Sequence, residues 1–374
     1  MKVRRMLQIA LTVMNLSIIA ATPQVKNVKA FQQYPWANKV YISYEVEGDI
    51  AASTGSGTTP SPVVTVKDET TGMILCESVD TCLSGDTGIA AGIHKVVWDI
   101  DTQGISLNST NAVFTVMYRD DVYLVVDLSA GASASSYSVS NLGVVPWGGW
   151  TDAHKTTKLV LRRLPAGTYK MQNISNVTLT QPFYMGVFEV TQKQWELVMG
   201  SNPCSSTSYG TGDSYPVHSV SYDGICSLSD SFLRKLRART GLAFGLPTEA
   251  QWEYACRAGT TTTYYWGDSM NGDYAWYNAN SGGKSHAVGT KAPNFWGLYD
   301  MIGNVAEFCS DWSGPLSYGT DPYGPYYSEF GLRVIRGGYW RSSADGCTSS
   351  FRYGGAPSGV YESHGFRLVL TLAN

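Results

Sequence analysis

The final third of the chain contains few stretches that could form a helix or a strand. After Gly259 the sequence is dominated by Gly, Asn, Tyr and Trp, and the 374 residues include 39 Gly and 24 Tyr. Long irregular loops are unusual in a folded domain, and they often carry function at the surface. With short helices before this region and little regular structure after it, the composition favours an α+β fold over a helical bundle.

Helix starts are predicted at two capping boxes, in which two side chains satisfy backbone groups of the first turn. Thr191 with Gln194 forms the first, and Thr248 with Gln251 forms the second. A further helix is expected over residues 229–239. Its apolar face consists of Phe232, Leu233 and Leu236.

Residues 1–21 have the pattern of a secretory signal peptide. A basic start is followed by a mainly apolar run over residues 6–21, and Ala20 and Ala21 stand at the expected cleavage site. The run is shorter than the ~20 apolar residues of a membrane span, and no later segment is apolar enough to cross a bilayer. The sequence therefore predicts export of the mature chain to a secreted, periplasmic or cell-surface location.

Residues 22–128 predict an N-terminal β-sandwich of immunoglobulin-like type. Short alternating segments such as 39–46 and 112–118 are separated by clusters of Gly, Pro, Asp and Ser, without a helical period. Residues 129–156 begin with a run of Ser, Ala and Gly and predict a linker. A second domain is expected over residues 157–374.

Charge and cysteine content argue against two classes of function, nucleic-acid binding and zinc binding. The net charge is −3 and no basic run that would attract a phosphate backbone follows the N-terminus, so nucleic-acid binding is not expected. The seven cysteines form no CxxC motif and no zinc-type spacing with histidine. In an exported protein some of them should pair, and Cys76 and Cys82 are close enough in sequence to staple a hairpin.

A set of motifs runs through the second domain. In chain order they are Phe183–Thr191, Tyr215–Ser221, Leu246–Tyr254, Tyr265–Gly267, Gly297–Glu307, Arg336–Gly338 and Gly365–Arg367. Their order and spacing resemble the formylglycine-generating enzyme, or sulfatase-modifying factor, family over roughly residues 157–372. The resemblance implies a variant C-type-lectin-like fold with little regular structure, a small twisted sheet and packed helices.

The resemblance also implies an enzyme that oxidises a sulfatase cysteine to formylglycine with Cu(I) held by two cysteines, but this chain departs from that pattern. In the family a closely spaced cysteine pair follows a Gly-Gly-Ser turn. Here Tyr339 replaces that serine, and Ser342 stands at the first copper cysteine. A hydroxyl cannot replace a thiolate toward Cu(I), which is a soft cation. Copper is therefore not expected, and Cys347 is the remaining catalytic candidate if the chain is an oxidase.

Cys347 also has a structural interpretation from the same resemblance. With a small shift in alignment, it matches a family cysteine that pairs with one at the position of Cys256. Cys309, which should lie on a neighbouring strand, is the alternative partner. Either bond would make Cys347 a structural sulfur.

The last segment of the chain resembles the corresponding segment in a non-catalytic branch of the family. In that branch, variable ligand-binding proteins of diversity-generating retroelements carry mutable residues between an Arg-Gly-Gly turn and a Gly-Phe-Arg end. Here residues 336–338 and 365–367 frame such a segment, and its Tyr, Ser and Gly content is typical of adaptable binding loops. The predicted ligand-binding residues are Tyr339, Arg341, Ser342, Ser343, Asp345, Phe351, Tyr353, Tyr361 and His364.

The function predicted from these observations is export and ligand recognition, with an unknown protein or glycan as the partner. A formylglycine-generating oxidase that acts on a protein cysteine is one alternative. A purely structural surface module is the other.

Calcium is the expected cofactor. The resemblance implies a site formed by the side chains of Asp300 and Glu307 and the carbonyls of Gly303 and Val305. Carboxylates with main-chain oxygens are the hard ligands that calcium prefers, and the alternative is that both carboxylates pair with nearby donors. The second calcium site of the family lacks its carboxylate here, over residues 279–287.

Overall fold

The computed structural model describes the strands between residues 24 and 119 and residues 121–372, except 144 and 147. The chain divides into an N-terminal unit, Met1–Val122 with Asn141–Val145, and a C-terminal unit, Tyr123–Ser140 with Pro146–Asn374. The predicted signal peptide lies outside the described residues. Within the described part of the chain, no helix is long and apolar enough to cross a membrane.

The described strands of the N-terminal unit form two antiparallel sheets. In chain order they are β1 (Gln24–Gln32), β2 (Lys39–Glu47), β3 (Ser61–Asp68), β4 (Ile74–Glu77), β5 (Leu83–Gly85), β6 (Gly92–Asp99) and β7 (Ala112–Arg119). One sheet has the order β1-β2-β6-β5 and the other β4-β3-β7. In β2, the strand predicted over residues 39–46, every second side chain from Val40 to Val46 is buried, so one face of its sheet turns inward.

The C-terminal unit combines short helices with short strands. Its first half contains β8 (Tyr123–Asp127), β9 (Ser138–Leu142), α1 (Asp152–Thr156), β10 (Lys158–Leu164), β11 (Gly167–Met171), β12 (Ser175–Leu179), β13 (Phe183–Gly186), α2 (Gln192–Met199), α3 (Phe232–Thr240) and α4 (Glu249–Arg257). Its second half contains β14 (Ala306–Trp312), β15 (Gly319–Thr320), β16 (Arg333–Arg336), β17 (Arg352–Gly355), β18 (His364–Gly365) and β19 (Val369–Thr371). Few helices and short strands agree with the predicted α+β class for this unit. The immunoglobulin-like assignment of the N-terminal unit stays a prediction.

Three sheets organise the C-terminal unit. A five-stranded sheet has the order β19-β13-β10-β8-β9, a four-stranded sheet has the order β17-β16-β14-β18, and a small sheet joins β11, β12 and β15. In the four-stranded sheet β18 runs parallel to β14, while β14, β16 and β17 are antiparallel. This pairing sets Glu307 beside both Gly365 and Arg336, which brings three distant motifs together.

The helices begin where the capping boxes predict. The Gln194 side chain accepts from Thr191 N at 2.9 Å, and Thr191 Oγ1 accepts from Gln194 N at 3.3 Å, at the start of α2. The same exchange between Thr248 and Gln251 opens α4. Each box satisfies backbone groups that the first turn leaves unpaired. The predicted apolar face of α3 is buried, with Phe232, Leu233 and Leu236 at 0–1% exposure.

Most of the predicted linker, residues 129–156, is part of the folded C-terminal unit, and Asn141–Val145 group with the N-terminal unit. It contains β9 and α1, and Tyr137 within it is 5% exposed. Arg239 on α3 donates to the Ala132 carbonyl at 2.5 Å and to the Tyr137 hydroxyl at 2.9 Å. The small side chains of the segment let its backbone approach α3. The Ser, Ala and Gly content that is typical of linkers therefore allows close packing here. The unit also begins earlier than residue 157, because β8 pairs with β10.

Candidate functional site

The segment 339–364 starts at a turn that requires glycine. Gly337 and Gly338 have φ of 90° and 71°, a left-handed backbone that other residues rarely adopt. A Cβ on Gly338 would collide with the Gly346 carbonyl and lie 2.8 Å from Cys347 Sγ. The turn therefore packs directly against the short 3₁₀ turn Ala344–Cys347.

Arg336, the last residue of β16, anchors this segment from beneath. Its side chain is fully buried and donates to Glu253 Oε2 at 2.5 Å. It also donates to the carbonyls of Ser349, Ser350 and Phe351 at 3.1, 2.7 and 2.9 Å. A buried charge is stable only when it is paired and hydrogen-bonded, so these bonds hold the backbone of residues 349–351 in one place.

The backbone of the first part of the segment is held as well. Trp340 is buried, its N donates to the Asn304 carbonyl at 2.9 Å, and its own carbonyl accepts from Ser281 Oγ at 2.6 Å. The Ser342 carbonyl accepts from Asn278 N at 3.0 Å. Side chains of this part vary in exposure while the main chain is fixed.

The predicted ligand-binding residues are distributed between the surface and the interior. Arg341, Ser343 and Asp345 are exposed and alternate with less exposed neighbours. The residues of intermediate exposure are Tyr339, Ser342, Phe351, Tyr353 and Tyr361, and His364 is buried. Eight of the nine therefore reach the surface of the unit.

His364 supports this surface from below, which differs from the contact role predicted for it. Its side chain is hydrogen-bonded to Ser363 Oγ at 2.9 Å and to the Tyr353 hydroxyl at 3.1 Å. The Tyr361 ring lies 4.6 Å from its own, centroid to centroid. Burial lowers the pKa of His364 to about 4, so the imidazole is neutral at neutral pH. The parallel pairing of β18 with β14 draws the residue into the sheet.

Ser342 and Cys347, which the family resemblance aligns with the copper pair, are neighbours in this fold. The Ser342 hydroxyl is hydrogen-bonded to the Cys347 thiol and accepts from Tyr339 N at 3.0 Å. Cys347 is fully buried, and burial raises the pKa of its thiol to about 12 although the Ser342 hydrogen bond lowers it. One hydroxyl and one protonated thiol therefore stand where Cu(I) would need two thiolates.

The predicted disulfide of Cys347 with Cys256 or Cys309 is not formed. All three are free, buried cysteines of one apolar cluster. The Cys347 thiol is instead engaged by Ser342. Burial raises the pKa of Cys256 to about 12 as well. The Cys76–Cys82 pairing falls outside the residues whose side chains are described.

The motif predicted to bind calcium is entirely buried, and the structure pairs Glu307 with protein donors. Arg367 donates to Glu307 through Nη2 at 2.6 Å and through Nε at 2.8 and 2.9 Å. Trp252 Nε1 donates to the same carboxylate at 2.8 Å. These partners neutralise Glu307 without a metal ion.

Asp300 is less completely satisfied. Its Oδ2 accepts from Gly289 N at 2.7 Å, whereas Oδ1 is buried without a hydrogen-bond partner. Burial raises the pKa of Asp300 to about 6, although the Gly289 hydrogen bond and the Arg367 charge lower it. An unpartnered carboxylate oxygen in the interior is costly, so a cation would be favoured beside it.

Glu189 is a third carboxylate of this region, and it was not among the predicted site residues. It accepts from Asn304 Nδ2 at 2.6 Å and from Val305 N at 3.0 Å. Burial, and then the charges of Asp300 and Glu307, raise its pKa well above the usual range. The available signal was a carboxylate inside the otherwise apolar run of residues 183–190.

Calcium therefore fits this region in part. Three buried carboxylates, Glu189, Asp300 and Glu307, are balanced by one guanidinium, that of Arg367. Over the described residues, no group of three His, Cys, Asp or Glu side chains is arranged to hold a metal ion. A calcium ion here would depend on Asp300 and on main-chain carbonyls, with Glu307 shared with Arg367.

Comparison with known proteins agrees with this geometry. Residues 151–372 match the model of the sulfatase-modifying factor enzyme 1-like domain. The chain belongs to this family. The matched residues lie in the C-terminal unit and include the Arg-Gly-Gly turn, the buried 300–307 motif and the segment 339–364.

Two curated relatives show how widely the family members differ. The chain is 30% identical over 302 residues to the chaperone protein LppX of Paenibacillus barcinonensis, a match that covers 66% of this chain and 97% of that protein. It is 35% identical over 147 residues to the formylglycine-generating enzyme of Streptomyces coelicolor, covering 34% of this chain and 46% of the enzyme. The match with the enzyme thus spans less than half of the enzyme's length.

Among solved structures, the Treponema denticola variable protein 1 is similar to this sulfatase-modifying factor-like protein. It shares 29% sequence identity with a TM-score of 0.50, over 57% of this chain and 95% of its own. A variable protein and a formylglycine-generating enzyme are therefore both similar to this chain. Similarity to a variable protein supports a ligand-binding scaffold for the C-terminal unit.

Proposed function

We propose that this chain is an exported, non-catalytic recognition protein that binds its ligand through the surface of residues 339–364. The observation that carries the proposal is the neighbouring pair of Ser342 and Cys347. A hydroxyl beside a buried thiol of pKa about 12 supplies neither of the thiolates that Cu(I) needs at neutral pH. A family scaffold without the metal ligands is suited to binding rather than turnover.

The surface itself has the properties of a binding loop on a rigid support. Arg341, Ser343 and Asp345 are exposed, while Trp340 between the turn and these residues is buried. The Arg341 guanidinium lies 4.6 Å from the Trp340 ring centroid, which keeps this long side chain against the unit. Fixed main chain with exposed, varied side chains lowers the entropy lost on binding and leaves specificity to the side chains.

A protein is the ligand that we favour for this surface, with a glycan as the alternative. The relative from Paenibacillus barcinonensis, which is matched over 97% of its length, is named a chaperone, and a chaperone binds another protein. The similarity to a variable protein of Treponema denticola supports diversification of residues 339–364 by a retroelement. A reverse-transcriptase gene beside this one, with a near-repeat of the 3′ coding end, is the expected finding; a locus without either would contradict diversification.

A copper titration tests the non-catalytic assignment. The purified chain should not bind Cu(I) tightly and should not convert a cysteine-containing sulfatase peptide to the aldehyde. Ser342→Cys places a second thiol beside Cys347 and should create Cu(I) binding, because two soft ligands then converge. Ser343→Cys is the matched control, since its side chain is exposed next to the same position. Stoichiometric Cu(I) binding with aldehyde formation by the unaltered chain would establish the oxidase instead.

We also propose that the N-terminal unit is an immunoglobulin-like spacer. If β1 to β7 are named A, B, C, C′, D, E and F in chain order, the first sheet reads A-B-E-D and the second C′-C-F. A-B-E-D is the order of one sheet of immunoglobulin constant domains. Far-ultraviolet circular dichroism of residues 22–122 expressed alone should give a β spectrum, and a disordered spectrum would argue against an independent domain.

A further inference from the structure

A concave cleft lies in the C-terminal unit, outside the segment 339–364. It is a cleft of about 370 Å³ between α3, the start of α4, the edge of β19 and a π-helical turn at Asp223–Ser227. None of its lining residues belongs to residues 339–364. The volume falls in the range of about 300–1,000 Å³ that is typical of small-molecule sites.

The cleft is lined by neutral hydrogen-bonding groups and apolar side chains. Gln251 and Thr371 lie on one side, and the tyrosines Tyr222 and Tyr323 lie on another. No carboxylate lines the cleft, and Arg237 is the one charged residue among its lining. This lining does not match a cation or a polyanion, which would need several charges of one sign.

The hydrogen-bonding capacity of the cleft is only partly used within the protein. The hydroxyls of Tyr222 and Tyr323 donate to the same Ser310 carbonyl at 3.4 and 3.2 Å, so both phenol oxygens can still accept. Arg237 donates through Nε to the Phe244 carbonyl at 2.6 Å, which leaves its terminal nitrogens as donors. The cleft can therefore both donate to and accept from one ligand.

We infer that this cleft binds a neutral sugar. A sugar ring has hydroxyls that each donate and accept, and an apolar C–H face that packs on an aromatic ring. The cleft supplies the first need through its tyrosine, threonine and arginine groups, and the second through the exposed ring of Tyr323 and apolar walls that include Leu233 and Val369.

The loop at the rim of the cleft extends the aromatic surface. Tyr323 is 57% exposed, and the same loop carries Tyr326, Tyr327 and Phe330 at 101%, 76% and 78% exposure. The loop is nonetheless tied down, because Gly324 N donates to Asp311 Oδ1 at 2.7 Å. Exposed aromatic side chains mark an interaction surface, and flat rings suit the further units of an oligosaccharide.

Cys226 provides a reporter inside the cleft. It lies on the π-helical turn, lines the cleft, and is a free cysteine of intermediate exposure, whereas Cys204, Cys256, Cys309 and Cys347 are buried. A bound sugar should shield its thiol from alkylation. The site is separate from the proposed recognition surface, so either proposal can fail without the other.

The experiment uses the full chain with cellobiose, chitobiose, maltose and lactose at ~10 mM, enough to fill a site of millimolar affinity. Alkylation of Cys226 by N-ethylmaleimide is followed by peptide mass spectrometry, with calorimetry in parallel. At least one disaccharide should bind saturably and slow the alkylation about tenfold when its concentration reaches about ten times Kd. No protection and no binding by any of the four, or protection by the peptide Leu-Leu-Leu alone, would overturn the inference.

Cleft-filling substitutions make the test specific. A Cβ on Gly245 meets Val369 Cγ1 at 3.8 Å with nothing nearer and no positive φ, so Gly245→Phe fits the backbone and fills the cleft. It should weaken disaccharide binding at least tenfold, whereas Arg234→Phe on the exposed face of α3 should leave it unchanged. If Gly245→Phe does not fold, Thr371→Val with Arg237→Met removes hydrogen-bonding groups from the cleft instead. Unchanged sugar affinity in the folded cleft variant would also overturn the inference.

Discussion

Two neighbouring segments of the C-terminal unit differ in how deeply their side chains are buried. Every residue from 300 to 309 is buried, whereas along residues 339–346 exposed side chains alternate with less exposed ones. The two segments touch: Gly303 N donates to the Gly337 carbonyl at 3.0 Å, and Trp340 N donates to the Asn304 carbonyl at 2.9 Å. The main chain of the exposed segment is therefore hydrogen-bonded to a fully buried segment.

The difference teaches how a scaffold can keep its fold while its surface changes. Main-chain hydrogen bonds are common to all residue types except proline, so they hold the loop whatever side chains it displays. In the buried segment the side chains themselves make the bonds, as Glu307 does with Arg367. Substitution should thus be costly in one segment and nearly free in the other.

The largest expected effect comes from matched arginine substitutions. Arg367→Met leaves the Glu307 carboxylate buried and uncompensated and should lower the free energy of unfolding by about 3–5 kcal/mol. Arg341→Met makes the same chemical change at an exposed position and should alter it by less than about 0.5 kcal/mol. Urea denaturation measures both. Similar losses for the two variants would break the distinction between the segments.

The next effect tests where the exposed segment ends. Burial lowers the pKa of His364 from 6.5 to about 4, so its contribution to stability is fully present above pH 6.5 and is lost as pH falls toward 4. At about 1.4 kcal/mol per pKa unit, the wild type should lose about 3 kcal/mol more than His364→Gln over that range. Urea curves at several pH values measure the difference. If the free energy of unfolding of the wild type and of His364→Gln changed equally with pH, the His364 imidazole would behave as an exposed side chain.

A third prediction tests whether the buried segment binds calcium. If Asp300 and the neighbouring carbonyls bind the ion, free calcium at ~100 times Kd should stabilise the native chain by ~2.7 kcal/mol. A chelator should lower the melting temperature correspondingly, and Asp300→Asn should remove this response. Asp345→Asn, on the exposed segment, is the control and should retain it. A melting temperature that does not change with chelator would contradict calcium binding. The charge of the buried carboxylates would then be balanced by Arg367 and by protonation.

The smallest expected effect lies in the exposed segment. Combined replacement of Arg341, Ser343 and Asp345 by Ala should change the free energy of unfolding by no more than about 0.5 kcal/mol per site, because none of these side chains is buried. Circular dichroism melts measure this change. A loss of several kcal/mol would mean that these residues support the fold rather than display a binding surface.

Local patterns were enough to predict the helices α2, α3 and α4. The capping boxes at Thr191 and Thr248 act within one turn, so the pattern and the structure are set by the same few residues. The absence of a thiolate at Ser342 is a matter of residue type and needs no coordinates. The order of the motifs was enough to indicate the family.

What only the tertiary structure decided depends on partners that are far apart along the chain. Glu189 meets Val305 across 116 residues, β8 joins the sheet of β10 beyond the segment predicted as a linker, and His364 is buried because β18 pairs with β14. Cys347 is a free thiol that lies beside Ser342. A sequence pattern records what a residue can bond to, whereas burial and long-range pairing determine which of those bonds forms.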